Sequence, residues 1–168
     1  MEKPFSALFA MLESTMPGGV HAAEGPFQDA CERLGVRVRR IPFGRRSMRE
    51  SFASRLVVRL GDVLGYAFAV LRERPDIVHL NTAYDRPAIL RDVGYAAVSR
   101  LLGQPLFLKL HGSDRGLARD QGVFWGMLSR FVLGTAAAVG VLSDEEKRLF
   151  LAAGYGAERF RVVKNAVN

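Results

Sequence analysis

Residues 74–87, RPDIVHLNTAYDRP, decide the fold. Pro75 cannot donate a backbone hydrogen bond and restricts the residue before it, so a helix arriving from the N-terminal side must stop there. Asp76 to Leu80 is a short apolar run between polar flanks, the pattern of a strand buried on both faces. Asn81 to Arg86 reads as a polar loop, and Pro87 suits the first turn of a following helix, where its missing N–H is not needed. Helix, strand, loop and helix follow one another without a hairpin turn, which is the grammar of a crossover unit.

The same grammar extends in both directions. Upstream, Ser51 to Arg74 is predicted to be a long helix, with Phe52, Leu56, Leu60, Val63, Leu64, Ala67, Phe68 and Leu71 keeping a 3.6-residue period. A linker rich in Gly and Arg, Pro42 to Arg49, precedes it. Val36, Val38 and Ile41 form a second strand with Arg37 and Arg39 on its other face, and Arg40 sits at a slip in the alternation. Ala22 to Leu34 carries helical spacing, and Gly35 stands where a left-handed C-terminal cap belongs. Ser6 to Leu12 is the first strand, followed by Pro17-Gly18-Gly19.

Downstream, the helix from Pro87 runs to Leu102 and ends at Gly103. Pro105 to Leu110 is a fourth strand ending in the loop His111-Gly112-Ser113-Asp114. A helix over Val123 to Leu133 and a fifth strand over Ala137 to Leu142 follow. Ser143-Asp144-Glu145-Glu146 is a capping box that opens a helix to Ala153. Phe160 to Val163 is a sixth short strand. Strands alternating with helices predict one α/β domain over residues 1–168, with a mostly parallel sheet of about six strands covered on both faces.

Composition narrows the function classes. The chain has 168 residues, 24 Lys+Arg against 17 Asp+Glu for a net charge of +7, and 49% hydrophobic residues. That apolar fraction excludes wholesale disorder. One cysteine, Cys31, excludes a disulfide-stapled fold, and a reducing, cytoplasmic setting is expected. Phe5 to Leu12 is too short for a signal peptide, and Phe52 to Leu71 carries Arg55, Arg59 and Asp62, against a spanning helix. The positive charge points to polyanions: nucleic acid, anionic lipid or phosphorylated small molecules. Nucleic acid is the least favoured, because no helix-turn-helix, zinc or ribonucleoprotein signature accompanies the charge.

In parallel sheets, ligands bind beyond the carboxyl ends of the strands. Four segments lie there: Gly18-Gly19, Asn81 to Asp85, His111 to Asp114, and Ser143. Gly18 and Gly19 are either a loop that brings helix amides to a phosphate or a plain turn. His111 is either a hydrogen-bonding group for a ligand, with Gly112 giving room, or a structural strand-end residue. His79, inside a strand, reads as packed and hydrogen-bonded. Asp85 and Asp114 are either catalytic or helix caps. The three histidines lack ligand spacing, so no metal site is expected, and no Gly-x-Ser-x-Gly elbow occurs. Arg37, Arg39, Arg40, Arg45, Arg46, Arg49, Arg55 and Arg59 crowd one window, forming either a solvated surface or a face for anionic lipid headgroups, with Arg45, Arg46, Arg49 and Arg55 as the contacts.

Five segments in order complete the reading: Pro17-Gly18-Gly19, Arg74 to His79, His111 to Asp114, Val141 to Lys147, and Val162 to Asn168. Together they resemble the N-terminal, acceptor-side domain of GT-B fold, family 4-type retaining glycosyltransferases. Ala166 and Asn168 depart from the glycine and aspartate usual in the family's last segment. The resemblance implies a Rossmann-like three-layer α/β/α domain and a hexosyl-type transfer from a nucleotide-sugar donor to a saccharide or lipid-linked acceptor. It implies that Gly18, Gly19 and Gly112 border the donor diphosphate and sugar, that His111 contacts the transferred sugar, and that Asn81, Thr82, Tyr84, Asp85 and Asp114 meet the acceptor. It further implies no cofactor beyond the nucleotide-diphosphate sugar as co-substrate, polysaccharide biosynthesis, and a C-terminal donor-binding domain as partner. On that reading residues 1–168 alone are inactive, and a cytoplasmic, peripheral position on the inner face of the cell membrane is expected. The alternative is a stand-alone Rossmann-like module that binds a phosphorylated ligand without catalysis.

Overall fold

The computed structural model describes residues 3–11, 19–43, 52–119 and 122–165, with the backbone alone at 11, 19–22, 52–56 and 119. The strands are β1 (Ser6–Met11), β2 (Arg37–Pro42), β3 (Ile77–Tyr84), β4 (Leu106–Ser113), β5 (Ala138–Val141) and β6 (Phe160–Val162). The helices are α1 (Gly19–Arg33), α2 (Phe52–Glu73), α3 (Arg86–Leu101), α4 (Arg115–Arg119), α5 (Gly122–Thr135) and α6 (Asp144–Ala152). The strands form one parallel six-stranded sheet in the order β2-β1-β3-β4-β5-β6, the Rossmann-like α/β/α class expected. Two compact units divide the chain inside β3, between His79 and Leu80.

In the first unit, β1 and β2 pair in unbroken parallel register from Ser6–Arg37 to Met11–Pro42, so the slip at Arg40 is not a bulge. Val38 and Ile41 are half-buried, while Arg37, Arg39 and Arg40 are exposed. Arg39 reaches Glu73 at 2.8 Å, and Arg40 Nε donates to Gln28 Oε1 at 2.8 Å. Ala7 and Phe9 anchor a cluster with Phe27, Cys31, Val36, Val38 and Ile77. His79 is buried there, stacked on Phe9 with centroids 4.4 Å apart, and its Nε2 lies 3.0 Å from Oε2 of the fully buried Glu24. It is the packed residue that its place inside the strand predicts.

Helix α1 begins three residues earlier than its spacing indicated, because Gly19 already has helical geometry. It ends as predicted: Gly35 takes φ +81°, and Val36 N donates to Cys31 O at 3.0 Å, closing a Schellman motif. The backbone amide and hydroxyl of Ser6 donate to the Asp76 carboxylate at 2.7 and 2.8 Å, tying the start of β1 to the residue before β3.

Helix α2 presents Asp62, Tyr66 and Val70 inward, at helical spacing. The predicted apolar row does not face the core. Leu60, Leu64, Phe68 and Leu71, together with Val57, all lie on the outside, Leu64 being 70% exposed. The periodicity identified the helix correctly, but a buried stripe of only three residues was enough to seat it. The helix stops before Pro75, with Arg74 at φ +45°.

In the second unit, β4 pairs with β5 and β5 with β6, both parallel. Leu106, Leu108, Leu110, Val139, Val141, Phe150 and Phe160 are buried. Phe150 stacks on Phe160 at 5.1 Å and meets Tyr84 edge-on at 4.9 Å. Gly140 is required by packing: a Cβ there would lie 2.9 Å from Phe107 Cζ and 3.4 Å from Val163 Cγ2. Two expected loops are shorter than their sequence implied. Asn81 to Tyr84 continue β3, and His111 to Ser113 continue β4, because alternate residues in both runs still find ladder partners or core.

Candidate functional site

The second unit brings three of the four expected segments to the carboxyl ends of β3, β4 and β5. Asn81 is buried and His111 half-buried, and His111 Nε2 lies 3.1 Å from Asn81 Oδ1. An amide oxygen only accepts, so this contact keeps a proton on Nε2 and leaves the lone pair of the neutral ring on Nδ1. Gly112 follows at φ +139°, a conformation that side chains rarely adopt, and a Cβ there would meet nothing within 4 Å. The glycine is demanded by its backbone, and the space beside His111 is open.

The two aspartates cap helices. Asp85 Oδ1 accepts from Ala88 N at 2.8 Å, and Asp114 Oδ1 accepts from Leu117 N at 3.0 Å. Asp114 N also donates to Tyr84 O at 2.8 Å, which sets the end of β4 against that of β3. Ser143 caps α6 as predicted, its hydroxyl accepting from Glu146 N at 3.1 Å. The return contact of the capping box reaches one residue further back. Glu146 Oε2 accepts from Leu142 N at 2.8 Å, and Oε1 accepts from the Ser113 hydroxyl. Glu146 thereby joins the ends of β4 and β5.

Thr82 and Tyr84 lie deeper than a loop position implies, both buried. Tyr84 is in the core, and Thr82 belongs to a polar cluster that sequence reasoning missed. Its hydroxyl donates to the Asp92 carboxylate and accepts from Arg91 Nη2 at 2.6 Å, while Arg91 Nε donates to Asp92 Oδ1 at 2.8 Å. Burial raises the Asp92 carboxyl above its ordinary value, against the lowering influence of Arg91. Asp92 stands in the middle of a helix, where nothing in the local pattern distinguishes it from a surface residue. Lys109, two residues before His111, is likewise wholly buried.

Gly19 is the first residue of α1, in the first unit. Gly18, Arg45, Arg46 and Arg49 lie outside the described residues, as does the side chain of Arg55. Among the described residues, no group of three or more His, Cys, Asp or Glu could hold a metal ion, and no helix is long and apolar enough to cross a membrane.

The profile of the glycosyl transferase 4-like domain matches residues 11–166. No curated protein sequence matches the chain. Among solved structures, the fold is similar to a UDP-GlcNAc 2-epimerase from Methanocaldococcus jannaschii, with TM-score 0.59, 14% identity, and 96% of this chain on 45% of that one. It is similar to MurG from Acinetobacter baumannii at TM-score 0.56 and 13% identity, covering 98% of this chain and 46% of that one. Anabaena HepE in complex with UDP and glucose gives TM-score 0.51 and 18% identity, covering 96% and 45%. The chain thus spans less than half the length of these structures.

Proposed function

We propose a function from one premise: the chain belongs to the glycosyl transferase 4-like domain family. It is a glycosyltransferase domain of GT-B fold, and on our reading it forms the acceptor side of an enzyme that moves a hexosyl unit from a nucleotide-diphosphate sugar to a saccharide or lipid-linked acceptor. The bond between the sugar's anomeric carbon and the diphosphate breaks, and a bond to the acceptor oxygen forms on the same face. The acceptor proton leaves with the nucleotide diphosphate or to solvent. The observation that carries this reading is the His111–Asn81 contact at the strand ends, with the open space at Gly112 beside it. An oriented imidazole there contacts the transferred sugar and assists by positioning and hydrogen bonding.

Gly18, Gly19 and Gly112 are assigned to the donor, and Asn81 and the capped segments around Asp85 and Asp114 to shaping the acceptor side. A donor carrying a nucleotide diphosphate is supported by HepE, whose structure holds UDP and glucose. The reaction needs no resident cofactor or metal on this reading. The exposed apolar row of α2 supports work at the inner face of a membrane, with the arginine-rich segment before it contacting anionic headgroups. The deciding experiment is an assay of the longest natural chain containing this domain against a panel of nucleotide sugars and acceptors. Turnover that His111→Ala lowers supports the reading. Saturable nucleotide-sugar binding without any turnover would leave the stand-alone binding module.

A further inference from the structure

Two hollows in the second unit adjoin one another on the outer side of α4, α5 and α6. The first has a volume of about 520 Å³ and is rimmed by Arg115, Ser143, Glu145 and Arg148. The second, about 680 Å³, is walled by Val123, Gly126 and Met127, with Arg130 at its edge. Ala118 and Ala153 line both, so the two are halves of one groove with a floor of small side chains. Each half falls in the volume range of small-molecule sites.

The halves differ in chemistry. In the polar half, Glu146 is already engaged by Leu142 N and the Ser113 hydroxyl, and Glu145 pairs with Arg115 at 3.1 Å. Arg148 is exposed and makes no ion pair among the described residues. Arg130 lies over the Tyr155 ring at 5.9 Å, where the lip of the groove meets both halves. Three guanidinium groups therefore stand along one side of a groove whose two carboxylates are each already held. Planar, always-charged guanidinium groups suit phosphate oxygens. The other half offers apolar surface at a density unusual for a solvent-facing helix: Val123 is 93% exposed and Met127 59%. Met is an adaptable wall for a flexible hydrocarbon, and Gly126 lets a chain approach the helix backbone.

We propose that this groove binds an amphiphile, a lipid phosphate, with the phosphate among Arg115, Arg148 and Arg130 and the hydrocarbon along Val123 and Met127. It rests on the transfer reading above, and it narrows the acceptor class of that reading to a saccharide carried on a lipid phosphate. A free sugar phosphate would leave the apolar half unused, and a neutral lipid would leave the arginines uncompensated.

Trp125, the sole tryptophan of the chain, lies on α5 between the groove residues Val123 and Met127 and reports on binding by its fluorescence. The 168-residue chain is titrated with farnesyl phosphate below its micelle concentration, and separately with farnesol and inorganic phosphate. Saturable binding of farnesyl phosphate at least tenfold tighter than either fragment is expected. The double variant Arg115→Ala/Arg148→Ala and the single variant Met127→Asp each weaken it about tenfold or more, with unchanged far-UV circular dichroism. All these positions are at the surface, so folding is not at stake. Equal affinity for farnesyl phosphate and inorganic phosphate, or for farnesyl phosphate and farnesol, overturns the proposal, as does an affinity that neither variant changes. No donor or turnover enters the titration. Turnover on a soluble saccharide without farnesyl phosphate binding sinks the groove alone, whereas farnesyl phosphate binding in a longest natural chain that transfers nothing sinks the transfer reading and keeps the site.

Discussion

His111 and Asn81 stand on neighbouring strands, and their side chains meet with Nε2 and Oδ1 3.1 Å apart. The acceptor-only oxygen of Asn81 holds the imidazole in one tautomer and one orientation, which a sugar hydroxyl alone would not do. In the longest natural chain, His111→Ala is expected to lower kcat about 100-fold, within the usual contribution of a positioned acid–base group. Asn81→Leu should lower it less, by about tenfold, because the ring survives without its orientation. Asn81→Asp keeps an acceptor and should retain most activity while moving the pH–rate profile upward, since a carboxylate favours the imidazolium. A profile that does not move means that Asn81 does not act through His111.

The buried contact between Glu24 and His79 makes a stability prediction. Removing one partner leaves the other desolvated without its counterpart, at a cost of about 3–5 kcal/mol. Glu24→Ala and His79→Ala should each lower the urea midpoint by a corresponding amount, and the double variant by less than their sum. Strict additivity would show that the 3.0 Å approach carries no coupling.

Gly140 and Gly112 should respond differently to alanine. At Gly140 the new methyl meets Phe107 and Val163, so overpacking costs about 1–3 kcal/mol. At Gly112 there is space, and the cost is the left-handed backbone, about 1–2 kcal/mol. Only the second should also disturb turnover, because it moves the backbone beside His111. Thermal melts and kcat together separate the two.

Two carboxyl groups predict opposite slopes of stability against pH. The hydroxyl and the amide of Ser6 hold Asp76 below its ordinary value, so its contribution is present above about pH 3.9 and is lost as pH falls through its native value. Burial holds Asp92 above its ordinary value, so the native state keeps that proton more readily, and stability declines as pH rises from about 3.9 through the raised native value. Asp76→Asn should remove the acid-side slope and Asp92→Asn the one above it. Urea unfolding between pH 2 and 8 reads both, and unchanged slopes refute the assignments.

The apolar row of α2 should matter for association and hardly for folding. Leu64→Glu with Phe68→Glu, both exposed, should change stability by no more than about 0.5 kcal/mol per site. The same pair should abolish co-sedimentation with anionic vesicles. Unmodified protein that fails to sediment removes the membrane assignment.

Much of this was legible in the residues. Pro75, Gly35, Gly103 and Ser143 mark boundaries through local chemistry, and all four act where that chemistry places them. What local pattern could not give was depth. Asn81 to Tyr84 look polar enough for a loop, yet hydrogen bonds to Asp92 and Arg91 satisfy Thr82 inside the strand. The eight-residue apolar count on α2 overstated what the core could cover, because burial is decided by the neighbouring sheet and not by the helix. The five-residue helix α4 left no periodic trace at all.

The strand β2 closes one side of the sheet, and its Arg37, Arg39 and Arg40 are all exposed. An outermost strand offers unpaired amides and carbonyls to any other extended chain. A second copy approaching this margin brings its own three arginines against them, and the repulsion guards against edge-to-edge growth of fibrils. The guard is a charge effect, so concentrated salt should weaken it. Replacing the three arginines with serine should yield a chain whose thioflavin-positive aggregation no longer depends on ionic strength.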